Sequence, residues 1–135
     1  MSATSHTTLV NAPVETIWQL LLDKVEHPDK YIDGVTDVEV EPGREGVTIR
    51  RMTLPTGKRI TEAITADERT RVVVFKSIGD PDAVALVTNT IFEEDGEVFL
   101  NFTYSGAPRS GAAPANMMEM IHAAVEHTRG LAEGR

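Results

Sequence analysis

The strongest constraint on this chain is the dipeptide Asp95-Gly96, set between the alternating runs VTNTIFE and VFLNFTY. Asp-Gly flanked by alternating apolar residues is the most specific short-range signal for a two-residue β-hairpin, because both turn positions need positive φ. A two-residue turn pairs Glu94 with Glu97, Ile91 with Leu100, Asn89 with Phe102 and Val87 with Tyr104. Side chains alternate across a strand, so Val87, Asn89, Ile91, Leu100, Phe102 and Tyr104 share one face. The opposite face carries Thr88, Thr90, Phe92, Phe99, Asn101 and Thr103 and is more polar. The first face is the core face. Asn89 is its only amide, and Tyr104 brings a hydroxyl to the strand end.

A second hairpin is written in VTIRRMTL, PTG and KRITEAIT. Gly57 suits the left-handed position closing a three-residue loop. If Leu54 and Lys58 close that loop, Met52 faces Ile60 and Arg50 faces Glu62. Ile60, Glu62 and Ile64 lie on one face, whose isoleucines mark it as the core face, and this takes Arg50 inward with Glu62. A slip of one residue would turn Arg51 inward instead. A charged pair on an inward face needs a partner, water or a ligand.

The remaining elements follow from local signals. Residues 4–10 form a first strand. Pro13 suits the first position of a helix whose stripe is Val14, Ile17, Trp18, Leu21 and Leu22. The charged stretch Asp23 to Asp29 breaks that stripe, and Pro28 starts a short second helix ending near Gly34. Val35–Val40 is a strand with Val38 and Val40 inward, and Val72–Phe75 is another. Gly106 to Pro114 is a loop of small residues, with 111–116 as a candidate lid. From Pro114 a long helix runs to about Ala132 with the stripe Met117, Met120, Ile121, Ala124, Val125, Thr128 and Leu131. Glu119, His122, Glu126 and Arg129 lie opposite. The class is therefore α+β: an antiparallel sheet that must curl and cover its apolar face, with the last helix as cover.

Composition narrows the function classes. At 135 residues, 41% apolar and 25% charged, the chain reads as one domain, 1–135, able to bury a core. A net charge of -8 with scattered basic residues argues against nucleic acid and anionic membrane surfaces. No cysteine means no disulfide framework and no thiol chemistry, which fits the cytoplasm. Neither a secretory signal nor a membrane-spanning stretch is visible. The four histidines lack metal-ligand spacing and read as solvated, so no metal or other cofactor is expected. Glu93-Glu94-Asp95 reads as a solvated hairpin tip, and neither Ser105 nor Ser110 has a neighbouring base.

The segment LVNAPVETIWQLLLDKVEHPDKYIDGV carries Ala12, Pro13, Ile17, Trp18, Leu21, His27, Pro28, Tyr31, Gly34 and Val35 in the pattern "aP..vW.lL" then "hP..y..gv". It resembles the helix-grip superfamily of START-related and birch-pollen-allergen-like proteins (SRPBCC). The middle is similar to the AtaL-like subfamily, of largely unassigned function, on Arg50, Glu62, Asn89, Ile91, Gly96, Leu100, Phe102 and Tyr104. The resemblance covers nearly the whole chain. It implies about seven strands gripping a long C-terminal helix, two short helices after the first strand, and a hydrophobic cavity between sheet and helix. Relatives bind lipids, sterols, hormones or polyketides, and some are cyclases, aromatases or lyases.

The expected activity is binding of a small hydrophobic molecule bearing a polar or acidic group, by Arg50, Met52, Glu62, Asn89, Phe102, Tyr104, Met117, Met120 and Ile121. The alternative is a polyketide cyclase or aromatase-like enzyme with Glu62 or Tyr104 transferring a proton. Competing structural readings stand beside these: a cross-strand Arg50–Glu62 ion pair, an Asn89 amide satisfying backbone, a rim tyrosine, and methionines that only pack. Burial of Phe92 and Phe99 in a homodimer is the remaining partner expectation.

Overall fold

The computed structural model describes residues 2–80, 83–108 and 117–134. Among these residues seven strands form one sheet: β1 (Ser2–Leu9), β2 (Thr36–Pro42), β3 (Thr48–Thr53), β4 (Arg59–Asp67), β5 (Val72–Ile78), β6 (Ala83–Glu94) and β7 (Glu97–Pro108). Helix α1 (Val14–Glu26) and a 3-10 turn at Pro28–Lys30 follow β1, and α2 (Met117–Ala132) follows β7. Every strand pair is antiparallel, in the order β1-β7-β6-β5-β4-β3-β2. This is the α+β arrangement expected.

Both hairpins take the register their turns dictate. Asp95 and Gly96 sit at φ 54 and 80, the two positive values a type I′ turn requires, and Glu94 pairs with Glu97. Asn89 therefore stands opposite Phe102, and Val87 opposite Tyr104. Gly57 at φ 88 closes the loop between Leu54 and Lys58, whose backbone groups bond at 2.8 Å. Arg50 then pairs with Glu62 and Met52 with Ile60.

The core lies between the inner face of the sheet and the two helices. Ile17, Trp18, Leu21 and Val25 of α1 and Ile121 and Val125 of α2 meet Ile64, Val73, Phe75, Ile91, Leu100 and Phe102. Burying each such side chain contributes about 1.5–3 kcal/mol. The stripe of α2 is narrower than expected: Ile121, Val125 and Thr128 are buried, but Met120 and Leu131 are 40% and 41% exposed. At 3.6 residues per turn, positions 121, 125 and 128 line one face, and 120 and 131 fall at its edges.

Three local expectations are corrected. Pro28 opens only one 3-10 turn rather than a helix to Gly34. On β2, Asp37 takes φ 51 and the register shifts between Thr36 and Glu39, so Val38 is half-buried and Val40 is 36% exposed. The bulge re-aims this strand, which lies at the edge of the sheet. Gly106, expected in a loop, lies in β7, which runs to Pro108. A Cβ at Gly106 would collide with the Tyr104 ring and hydroxyl, so the glycine makes room for that side chain. The proposed lid, 111–116, falls outside the described residues. No described helix is long and apolar enough to cross a membrane.

Candidate functional site

The inner face carries a buried polar cluster, and its centre is a residue whose position the sequence reading passed over. Lys24 is 5% exposed, on the same side of α1 as Ile17 and Leu21. Its Nζ donates to Asn89 Oδ1 and sits over two aromatic faces, 4.0 Å from the Phe102 centroid and 4.9 Å from that of Phe75. Burial pushes the Lys24 ammonium down to about 7, the Arg50 guanidinium adding to the fall and the Glu62 carboxylate opposing it. Asn89 is fully buried, and its Nδ2 has no hydrogen-bond partner among the described residues.

Arg50 and Glu62 come together as the hairpin register requires. Arg50 Nη2 and Nε donate to Glu62 Oε1 at 2.7 and 3.2 Å. Arg50 Nη1 donates to the carbonyls of Lys24 and Val25 at 3.0 and 3.1 Å. Those carbonyls belong to the last turn of α1, where helix carbonyls lack intrahelical partners. The guanidinium thus bridges sheet and helix, and its central carbon lies 5.2 Å from the centre of the Phe75 ring. Most of its donors are already engaged, which leaves Lys24 and Asn89 as the groups with hydrogen-bonding capacity to spare.

The other expected site residues divide. Met52, Phe102, Tyr104 and Ile121 are buried, with Phe102 stacked under Lys24. The Tyr104 hydroxyl lies over Gly106. Met117 is half-buried and packs on the core, whereas Met120 points largely to solvent. Two surface hollows made of described residues lie elsewhere. One of roughly 410 Å³ is lined by Glu26, His27, Asp29, Val38 and Val40. Another of roughly 600 Å³ lies by Leu9–Pro13 and Gly96–Val98.

The histidines also depart from expectation. His6 and His122, read as separate solvated side chains, stand with ring centroids 4.3 Å apart. Strand pairing puts His6 on the inner side of β1, so the side of α2 carrying His122 and Glu126 covers it instead of facing water alone.

A curved seven-stranded antiparallel sheet closed by a C-terminal helix, with a short helix after the first strand, defines a helix-grip protein of the SRPBCC type. Within that class the chain belongs to the AtaL family: the model described as "Acetylaranotin biosynthesis cluster protein L" matches residues 5–131. No curated protein matches the chain. Among solved structures, the ZhuI aromatase/cyclase from Streptomyces sp. R1128 is similar at 19% identity and TM-score 0.70, over 98% of this chain and 93% of that one. TTHA0849 from Thermus thermophilus aligns at 18% identity and TM-score 0.74, over 99% and 100%. Major latex-like protein 151 from Panax ginseng aligns at 13% identity and TM-score 0.70, over 97% of each chain. At these identities the likeness is one of fold.

Proposed function

We propose that the chain binds a small hydrophobic molecule carrying a carbonyl or carboxylate group against the inner face of the sheet. The observation that carries this reading is the buried Lys24–Asn89 pair: among the described residues, a cation with no direct carboxylate hydrogen bond, beside an amide nitrogen with no partner. Buried donors left unmatched cost free energy, and an oxygen-bearing ligand would use them. Lys24 and Asn89 contact the polar group. Met52, Phe102, Tyr104, Met117 and Ile121 supply apolar lining, with Met120 at its rim. Arg50 and Glu62 hold α1, and hence Lys24, in place. The fold is one also found in proteins named aromatase/cyclase and latex-like protein, which fits this reading.

Native mass spectrometry of freshly purified protein, then denaturing extraction, tests it. A co-purifying apolar acid or ketone is expected, and Lys24→Met or Asn89→Leu should lose it while staying folded. A ligand-free wild type, with no thermal shift across fatty acids, sterols and aromatic polyketides, would overturn the reading. The same spectra test the homodimer expected from Phe92 and Phe99, which stack at 5.3 Å on the outer face, Phe92 being 38% exposed.

A second reading is a cyclase or aromatase-like enzyme, and the perturbed Lys24 favours it. An amine titrating near 7 can give and take a proton at neutral pH. Of the carboxyl and hydroxyl candidates, Glu62 is held by Arg50 and Tyr104 lies over Gly106. If this reading holds, Glu62→Gln or Lys24→Met abolishes turnover of a poly-β-ketone substrate with modest loss of binding. A pure binder changes affinity and has no turnover to lose.

A further inference from the structure

Polar side chains line the seam between β1 and α2. His6 on β1 projects inward, and its Nε2 is buried with no hydrogen-bond partner among the described residues. Across the seam, His122 and Glu126 are four residues apart on α2, so both point the same way. His6 Nε2 lies 3.7 Å from Glu126 Oε1, too long for a hydrogen bond. The ligand atoms of His6, His122 and Glu126 all lie within 4.8 Å of one another.

We propose that His6, His122 and Glu126 form a binding site for a divalent transition-metal ion of the Zn²⁺ type. Four-coordinate zinc with bonds of about 2.0–2.2 Å sets neighbouring ligand atoms roughly 3.4 Å apart. The His6–Glu126 pair is already close to that spacing, and His122 is exposed, so its ring can turn to complete the set. An ion would also give the buried His6 nitrogen the partner it lacks. Two imidazoles and one carboxylate favour Zn²⁺, Ni²⁺ or Cu²⁺ over Mg²⁺. The exposed side of His122 leaves the fourth position to water.

The surroundings suit a held carboxylate. Arg129 Nη1 approaches Glu126 Oε2 at 3.4 Å, the oxygen other than the one facing His6. Thr8 Oγ1 donates to Oε1 at 3.4 Å, long enough to yield to a metal bond. Arg129 is in turn tied to Glu133 at 3.4 Å, which offsets its charge beside the site. Such outer partners orient metal ligands. The site uses none of the residues proposed to contact the hydrophobic ligand, so either proposal can fail alone.

The test is titration of the EDTA-treated, tag-free full chain with ZnCl₂ by calorimetry, and with Co²⁺ by visible absorption. One ion per chain is expected, with a rise in Tm as metal ties β1 to α2. His122→Ala, a change at an exposed position, should weaken binding by at least about 10–100-fold, the loss typical of outer partners alone. His6→Gln should do the same, and His27→Ala and His127→Ala should leave affinity unchanged. Absence of saturable binding, or equal affinity in His122→Ala and wild type, would overturn the proposal.

Discussion

Lys24 shows how one residue can carry both a cost and a use. A lysine ordinarily titrates near 10.5, and burial brings this one to about 7. As pH falls, the unfolded chain takes up this proton below about 10.5 while the folded chain resists it until about 7. The unfolded state therefore binds more protons across that window, and stability falls as pH is lowered through it. The full effect is on the order of 5 kcal/mol. Lys24→Met is expected to flatten the pH dependence of the urea midpoint between about pH 7 and 10 relative to wild type. Parallel curves for the two proteins would remove Lys24 as the source. Asn89 was legible in the sequence, because a lone amide on an apolar strand face stands out. Lys24 was hidden by its charged neighbours Asp23, Glu26 and Asp29, although its spacing from Ile17 and Leu21 puts it on their stripe.

At the scale of elements, the Arg50–Glu62 pair is a clamp between β3, β4 and the end of α1. Removing one partner strands the other inside, whereas replacing both with apolar groups of similar size does not. Arg50→Met should therefore destabilise by about 3–5 kcal/mol, and Arg50→Met with Glu62→Met should recover most of that loss. Chemical denaturation of these two variants and of Glu62→Met measures it; a double loss equal to the sum of the two single losses would mean the pair adds nothing beyond its parts. The facing of this pair was readable because Gly57 sets the loop and the loop sets the register. What was not readable is that Arg50 also reaches the carbonyls of Lys24 and Val25, a contact between distant elements that no local pattern encodes. The β2 bulge was missed for a related reason: Asp37 at positive φ leaves the alternation of Val38 and Val40 intact in the sequence while changing what they face. The His6–His122 approach likewise joins the first strand to the last helix, and spacing along one chain segment cannot show it.

For the whole molecule, the order of elements along the chain and the covering helix were legible, because turn residues and the period of apolar positions agree with one another along most of the chain, whereas the place of β1 beside β7 was not. The ligand was not, since one inner face can be trimmed for many molecules. The sheet order has a further consequence. Among the described strands β1 has one neighbour, β7, and the bond between Ser5 and Thr103 spans 98 residues. Asn11 N also donates to Glu133 Oε2 at 2.7 Å, across 122 residues. Closing loops of that size is entropically slow, so the docking of β1 belongs to a late step of folding. Amides of β1 should accordingly exchange with solvent faster than those of β4 and β5 in native-state hydrogen exchange; equal protection would contradict that order. During synthesis β1 leaves the ribosome well before β7, so until β7 follows it β1 is a strand still awaiting the neighbour it pairs with among the described strands.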